Sequence, residues 1–221
     1  MIMARLWQDD YWLLLLQLYL KAPLGVKPIY SRALIDVALR THLKPQYIYR
    51  KLFRLRRIDT PLLQELWNRY AEKPARLKAV VTKLQMMDGF GNAEEFYDGV
   101  EATREWERDF KPVSAEEAAR GKDAVTPVKL IAILDLYYQL VPATMVPSTP
   151  EVAALAKLLR MSAQEVADIM TVYQACDPFL SEDEGRKSPL YEPCRNIWRR
   201  FGNDDPEKLA ALAAQLKDYW K

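Results

Sequence analysis

The sequence predicts an all-α fold: a tandem pair of roughly five-helix units joined by an acidic, partly helical connector. Three observations predict it. Only seven of the 221 residues are glycine while half are hydrophobic, a composition that suits helices. Apolar residues recur at spacings of three and four, with proline and cap residues between the runs. Finally, one pattern occurs twice. At a shift of 118, Leu16-Gln17-Leu18-Tyr19 aligns with Leu134-Asp135-Leu136-Tyr137, and Ala38, Leu43, Gln46 and Asp59 pair with Ala156, Met161, Gln164 and Asp177. The second copy then carries about 13 extra residues, after which Trp67, Tyr70, Pro74, Leu77 and Leu84 meet Trp198, Phe201, Pro206, Leu209 and Leu216. The expected domains are 1–87, a connector 88–123, and 124–221.

In the first copy, Leu6 to Lys21 reads as an apolar helix ended by Ala22-Pro23-Leu24-Gly25. Ser31 is the expected N-cap of Arg32–Thr41, whose inward face is Leu34, Val37 and Ala38. Pro45 suits the first turn of a third helix with Ile48, Leu52 and Leu55 inward. Thr60-Pro61 opens a fourth, carrying Leu63, Leu66, Trp67 and Tyr70, and Pro74 a fifth, carrying Leu77, Val80, Val81 and Leu84. The second copy repeats these signals at Thr126-Pro127, Thr149-Pro150, Ser162 and Asp205-Pro206. Its extra residues, around 181–189, read as a charged loop. In the connector, Ala93 to Phe110 has helical character and enough aromatics to dock on one copy or bridge both.

Tyr11 to Leu16 is apolar enough to suggest a targeting segment, but Asp9 and Asp10 precede it where a signal peptide carries positive charge. The stretch recurs internally at Val128–Leu134, so a buried helix is expected, and no run is long enough to span a bilayer. Two cysteines, Cys176 and Cys194, make no disulfide framework and point to a reduced, cytoplasmic setting.

The net charge of +2 conceals a strong asymmetry. Residues 1–83 hold 16 Lys/Arg against 6 Asp/Glu, a balance of +10; residues 84–123 hold 5 against 11, and residues 124–221 hold 11 against 13. A basic end beside an acidic connector suggests either a polyanionic partner or charges that neutralise one another.

Enzymatic chemistry is not expected. His42 is the single histidine, the cysteines lack metal-ligand spacing, and no phosphate loop or nucleophile elbow occurs. No cofactor and no metal are expected.

The centre of each copy resembles a helix-turn-helix unit. In the second copy Leu155-Ala156 and Leu159 are followed by a turn at Arg160-Met161-Ser162, then Val166 and Ile169. The first copy offers Val37-Ala38, Leu43, Ile48 and Leu52. The turn lacks the usual glycine, and Lys51 stands where the second copy has Ile169. The resemblance implies a second helix whose outward face meets nucleic acid. With Ile48, Leu52 and Leu55 inward, the candidate contacts are Lys44, Gln46, Tyr47, Arg50, Lys51, Arg54 and Arg57. Gln46 and Arg50 suit base edges; Lys44, Arg54 and Arg57 suit phosphates. The second copy places Gln164, Glu165 and Asp168 there, which repel phosphate and suit a structural or protein-binding role. The function expected is therefore a non-enzymatic nucleic-acid-binding or regulatory protein, with DNA or RNA as partner of the first copy and protein as partner of the second. The alternative is an all-helical interaction scaffold that binds no nucleic acid.

Overall fold

A computed structural model describes residues 7–87, 90, 105–180 and 184–221. All regular structure among them is helical, as expected, and no strand occurs among the described residues. The chain divides into two units, Met1–Arg104 and Glu105–Lys221.

The first unit contains α1 (Tyr11–Leu20), α2 (Arg32–Thr41), α3 (Pro45–Arg57), α4 (Pro61–Tyr70) and α5 (Pro74–Gln85). Helix α1 is apolar almost all round, burying Tyr11, Trp12, Leu14, Leu15, Leu16 and Leu18. Such a helix is stable only when surrounded, and α2, α3, α4 and α5 all pack on it. It begins four residues after the first described one, because Asp9 and Asp10 form a turn. The stretch expected from Leu6 is thereby shortened, and residues 1–6 lie outside the described residues. Pro45, Pro61 and Pro74 each occupy a first helical position, where the missing N–H has no partner to lose. Thr60 caps α4 by accepting from Leu63 N at 3.3 Å. Ser31 stands at the N-cap of α2, yet its buried hydroxyl makes no hydrogen bond. Of the residues expected inward, Val37, Leu66, Trp67 and Val80 are half-buried, and Ile35, outside the expected inward face, is fully buried.

The second unit contains α6 (Glu105–Arg108), α7 (Ala115–Ala119), α8 (Pro127–Gln139), α9 (Pro150–Leu159), α10 (Ala163–Cys176), α11 (Tyr191–Phe201) and α12 (Pro206–Leu216). Helix α8 takes the central role, with α9, α10, α11 and α12 around it. The central-helix contacts of the first unit thus recur: α1 with α2, α3, α4 and α5; α8 with α9, α10, α11 and α12. Helix bounds recur too. Shifting Arg32–Thr41 by 118 gives the span of α9, and Pro45 becomes Ala163, the start of α10. Tyr19 meets Trp67 edge-on at 6.0 Å, and the matched Tyr137 meets Trp198 edge-on at 5.8 Å.

The turns between α2 and α3 and between α9 and α10 share one backbone. His42 (φ 52°) and Arg160 (φ 58°) are both left-handed. The next residue donates back across the turn, Leu43 N to Ala38 O at 3.1 Å and Met161 N to Ala156 O at 2.9 Å. A left-handed position explains why glycine is usual there; here both turns carry a β-carbon.

Ser162 forms a full capping box with Glu165, Thr126 accepts from Lys129 N, and Asp205 from Glu207 N. Thr149 differs: its hydroxyl donates to Thr144 O and leaves the α9 amides uncapped. Of the connector, residues 105–123 belong to the second unit. Asp109 takes two hydrogen bonds from Arg200, at 2.7 and 2.9 Å. Arg120 bonds both Glu117 and Glu165, and Val113 N donates to Val125 O at 3.0 Å. Glu107 is buried within this unit. The rest of the expected helix, residues 93–104, lies outside the described residues.

Candidate nucleic-acid interface

Helix α3 is strongly two-sided. Ile48, Leu52 and Leu55 are fully buried against α1 and α2, which turns Lys44, Gln46, Arg50, Phe53, Arg54, Arg56 and Arg57 to the exterior. Lys44, Arg56 and Arg57 form no ion pair or side-chain hydrogen bond among the described residues. Arg50 donates from Nε to Gln46 O at 3.3 Å, along its own helix. Among the described residues Arg54 alone of these cations meets a carboxylate, both oxygens of Asp59 lying 3.4 Å away in an exposed pair. Such a pair is worth little in water and yields readily to another anion.

Two candidate residues, Lys51 and Tyr47, are placed differently from expectation, and a third, Gln46, is outward as expected but hydrogen-bonded. Lys51 does not face outward with the other cations. Its ammonium lies 4.4 Å from the Trp7 ring centre and 5.3 Å from those of Trp12 and Tyr47. The physical reason is its register: Lys51 follows Ile48 by three and precedes Leu55 by four, so its stem must cross the buried flank. The matched Ile169 is buried outright. A long lysine stem can cover apolar surface while its charge meets aromatic faces. Tyr47 is half-buried as part of this cluster. Gln46 is exposed but committed, donating from Nε2 to the Tyr30 hydroxyl at 2.8 Å.

Sequence reasoning missed Arg56, an exposed cation on the same helix, and the two side chains that hold candidates in place, Tyr30 and Asp59. Trp7 and Trp12, 44 and 39 positions before Lys51, gave no signal of meeting it. The Lys51/Ile169 match did carry one, since an apolar partner marks an inward position.

The second unit covers the C-terminal part of the equivalent face. Residues Glu184–Lys187, a 3-10 turn within the extra segment, pack directly on α10. A Cβ on Gly185 would stand 2.6 Å from Thr171 O, 2.7 Å from Val172 Cα and 3.0 Å from Ala175 Cβ. Val172 and Ala175 are buried beneath it, and they match the exposed Arg54 and Arg57 of α3. The expected charged loop is thus a lid over α10, with Ser181–Asp183 outside the described residues. The first unit lacks this insertion. At the start of α10, Glu165 is engaged by Ser162 and Arg120, whose hydrogen bonds hold its carboxyl below the usual range against the opposing effect of burial. Gln164 Nε2 donates to Asp168 at 2.8 Å.

Neither cysteine is oxidised. Burial pushes the Cys176 thiol up to about 11 and that of Cys194 higher still, so both are protonated and unreactive at neutral pH. No cluster of three or more His, Cys, Asp or Glu side chains suited to a metal ion occurs among the described residues. No helix there is long and apolar enough to cross a membrane.

Compared with protein-family models, curated proteins and solved structures, the chain matches none.

Proposed function

We propose that the protein is a non-enzymatic nucleic-acid-binding or regulatory protein that contacts the phosphate backbone through the outer face of α3. One observation carries the reading. The C-terminal part of the α10 face that matches α3 is apolar and lidded at Val172 and Ala175, and its start carries Gln164 and Asp168, whereas α3 keeps Lys44, Arg50, Arg54, Arg56 and Arg57 exposed. A basic helix face left exposed among the described residues, following a tight helix–turn–helix crossing, supports contact with a polyanion. Arg50 and Gln46 remain the candidates for base edges, Gln46 after exchange of its Tyr30 hydrogen bond. DNA and RNA share the phosphate chemistry, and duplex DNA is the first partner to test. A cytoplasmic setting belongs to the same reading, supported by two free thiols.

The experiment is a salt titration of duplex DNA binding by the full chain. Each neutralised phosphate releases counterions, so log K falls by about 0.9 per contact for each unit of log salt. Arg54→Ala with Arg57→Ala, two phosphate candidates, is expected to weaken binding and flatten the slope by nearly two. Binding that ignores salt, or a double variant that keeps the wild-type slope, overturns the proposal in favour of an interaction scaffold.

A further inference from the structure

A groove of about 550 Å³ opens in the first unit between α1, α2 and α5. Its floor is apolar: Leu14, Leu18 and Leu77 are almost entirely buried, and half-buried Val37 joins them. Its rim is charged, with Lys21, Arg40 and Lys78 against the single carboxylate of Asp36, all four exposed. None of these four side chains forms an ion pair or a side-chain hydrogen bond among the described residues. Three cations therefore surround an apolar floor without serving the fold.

The matching positions in the second unit make the contrast plain. Lys21 corresponds to Gln139, Arg40 to Leu158 and Lys78 to Ala210. All three cations are gone, while the floor position Leu77 is kept as Leu209, also buried. The matched floor of the second unit stays apolar and buried, with Ala132, Leu136 and Leu209 for Leu14, Leu18 and Leu77, and packs without the charges.

We propose that this groove binds a small organic anion with an apolar body, of the size and kind of a medium-chain monocarboxylate. A volume of this size suits a small ligand rather than a protein segment. The chain would lie on the leucine floor, and its head would take charge-assisted hydrogen bonds from Arg40 and the two lysines. Asp36 beside them disfavours a second negative charge, which favours a single carboxylate over a phosphate dianion. The inference does not rest on the nucleic-acid reading, since no exposed residue of α3 lines the groove.

The test is calorimetric titration of the full chain with decanoate, decyl phosphate and the uncharged decanol. Decanoate is expected to bind with one-to-one stoichiometry and at least tenfold more tightly than either analogue. In the variant Lys21→Gln/Arg40→Leu/Lys78→Ala, built from the second unit's own residues, decanoate affinity is expected to fall to that of decanol. Folding of the variant is checked by its far-UV circular dichroism and thermal melt; Arg40→Leu alone, expected to lose at least fivefold, serves as the milder second variant. Equal binding of decanoate and decanol, tighter binding of decyl phosphate, or unchanged decanoate affinity in both variants overturns the proposal.

Discussion

The ammonium of Lys51 rests 4.4 Å from the centre of the Trp7 ring, on the flank of α3 that its sequence position disguises as a basic surface. The side chain is better described as a pillar of an aromatic cluster than as a phosphate contact. Lys51→Ala is expected to destabilise the first unit by about 1 kcal/mol through the lost cation–π contact and stem packing. Lys51→Met keeps the stem and is expected to stay near wild-type stability. It should also leave the salt slope of any DNA binding unchanged; a slope flattened by about 0.9 would put this ammonium on a phosphate instead.

Gly185 admits no side chain, because a Cβ there would meet the backbone of α10 at 2.6 and 2.7 Å. Gly185→Ala should therefore cost about 2 kcal/mol or more, as overpacking does at a rigid contact. Chemical denaturation of the full chain measures it. A neutral substitution would mean that the turn over α10 is not seated as described.

Arg200 and Asp109 tie α6 and the following turn to α11 by a two-pronged pair, with Asp109 largely buried and Arg200 two-thirds so. Arg200→Ala and Asp109→Ala are each expected to loosen residues 105–113. Their coupling in a double-mutant cycle should reach about 1–2 kcal/mol, in line with hydrogen bonds to charged groups. Amide exchange at Val113 and Val128, whose N–H groups are bonded at this junction, should quicken in both variants. Additive single-variant effects would show that the pair does not hold the segment.

Alkaline pH should weaken the second unit before it touches the first. Burial raises the folded-state thiol of Cys176 from 9.0 to about 11 and also raises the Tyr137 and Tyr173 hydroxyls above their ordinary range. A group whose pKa is raised on folding contributes stability in full below its unfolded value and loses it as pH climbs through the folded one. For Cys176 that window is pH 9 to 11. Urea midpoints should fall across it, and Cys176→Ala should reduce the fall. In the native protein at pH 8, thiol titration with a disulfide reagent should be slow at both cysteines; rapid labelling of buried Cys194 would contradict its burial.

The helical framework was legible because its signals are local. Proline at a first helical position marked six helix starts, at Pro45, Pro61, Pro74, Pro127, Pro150 and Pro206, and in the four other than Pro45 and Pro74 a threonine or aspartate stands just before it. The outward face of α3 was legible from Ile48, Leu52 and Leu55 for the same reason. What escaped was long-range. Nothing near Lys51 in sequence announces Trp7, and nothing near Gln46 announces Tyr30. The lid over α10 read as a loop because its charged residues dominate the composition, while the contact is made by Gly185, which has no side chain to show. Ser31 is the converse case, a residue of the right type at the right place whose hydroxyl is buried away from the amides it was expected to cap.

His42 and Arg160 hold their turns in a conformation that an L-residue enters through one narrow basin, whereas glycine would have several. Each crossing is therefore a stiff elbow and not a hinge: the second helix cannot swivel on the first without leaving that basin. For α10, already clamped by its lid, the stiffness is redundant. For α3, which has no such lid among the described residues, it adds to the buried seam with α1 and α2 in fixing its aim. The outer face of the helix is thereby presented to its surroundings at one fixed angle, and any surface that fits it must come already matched to that pose.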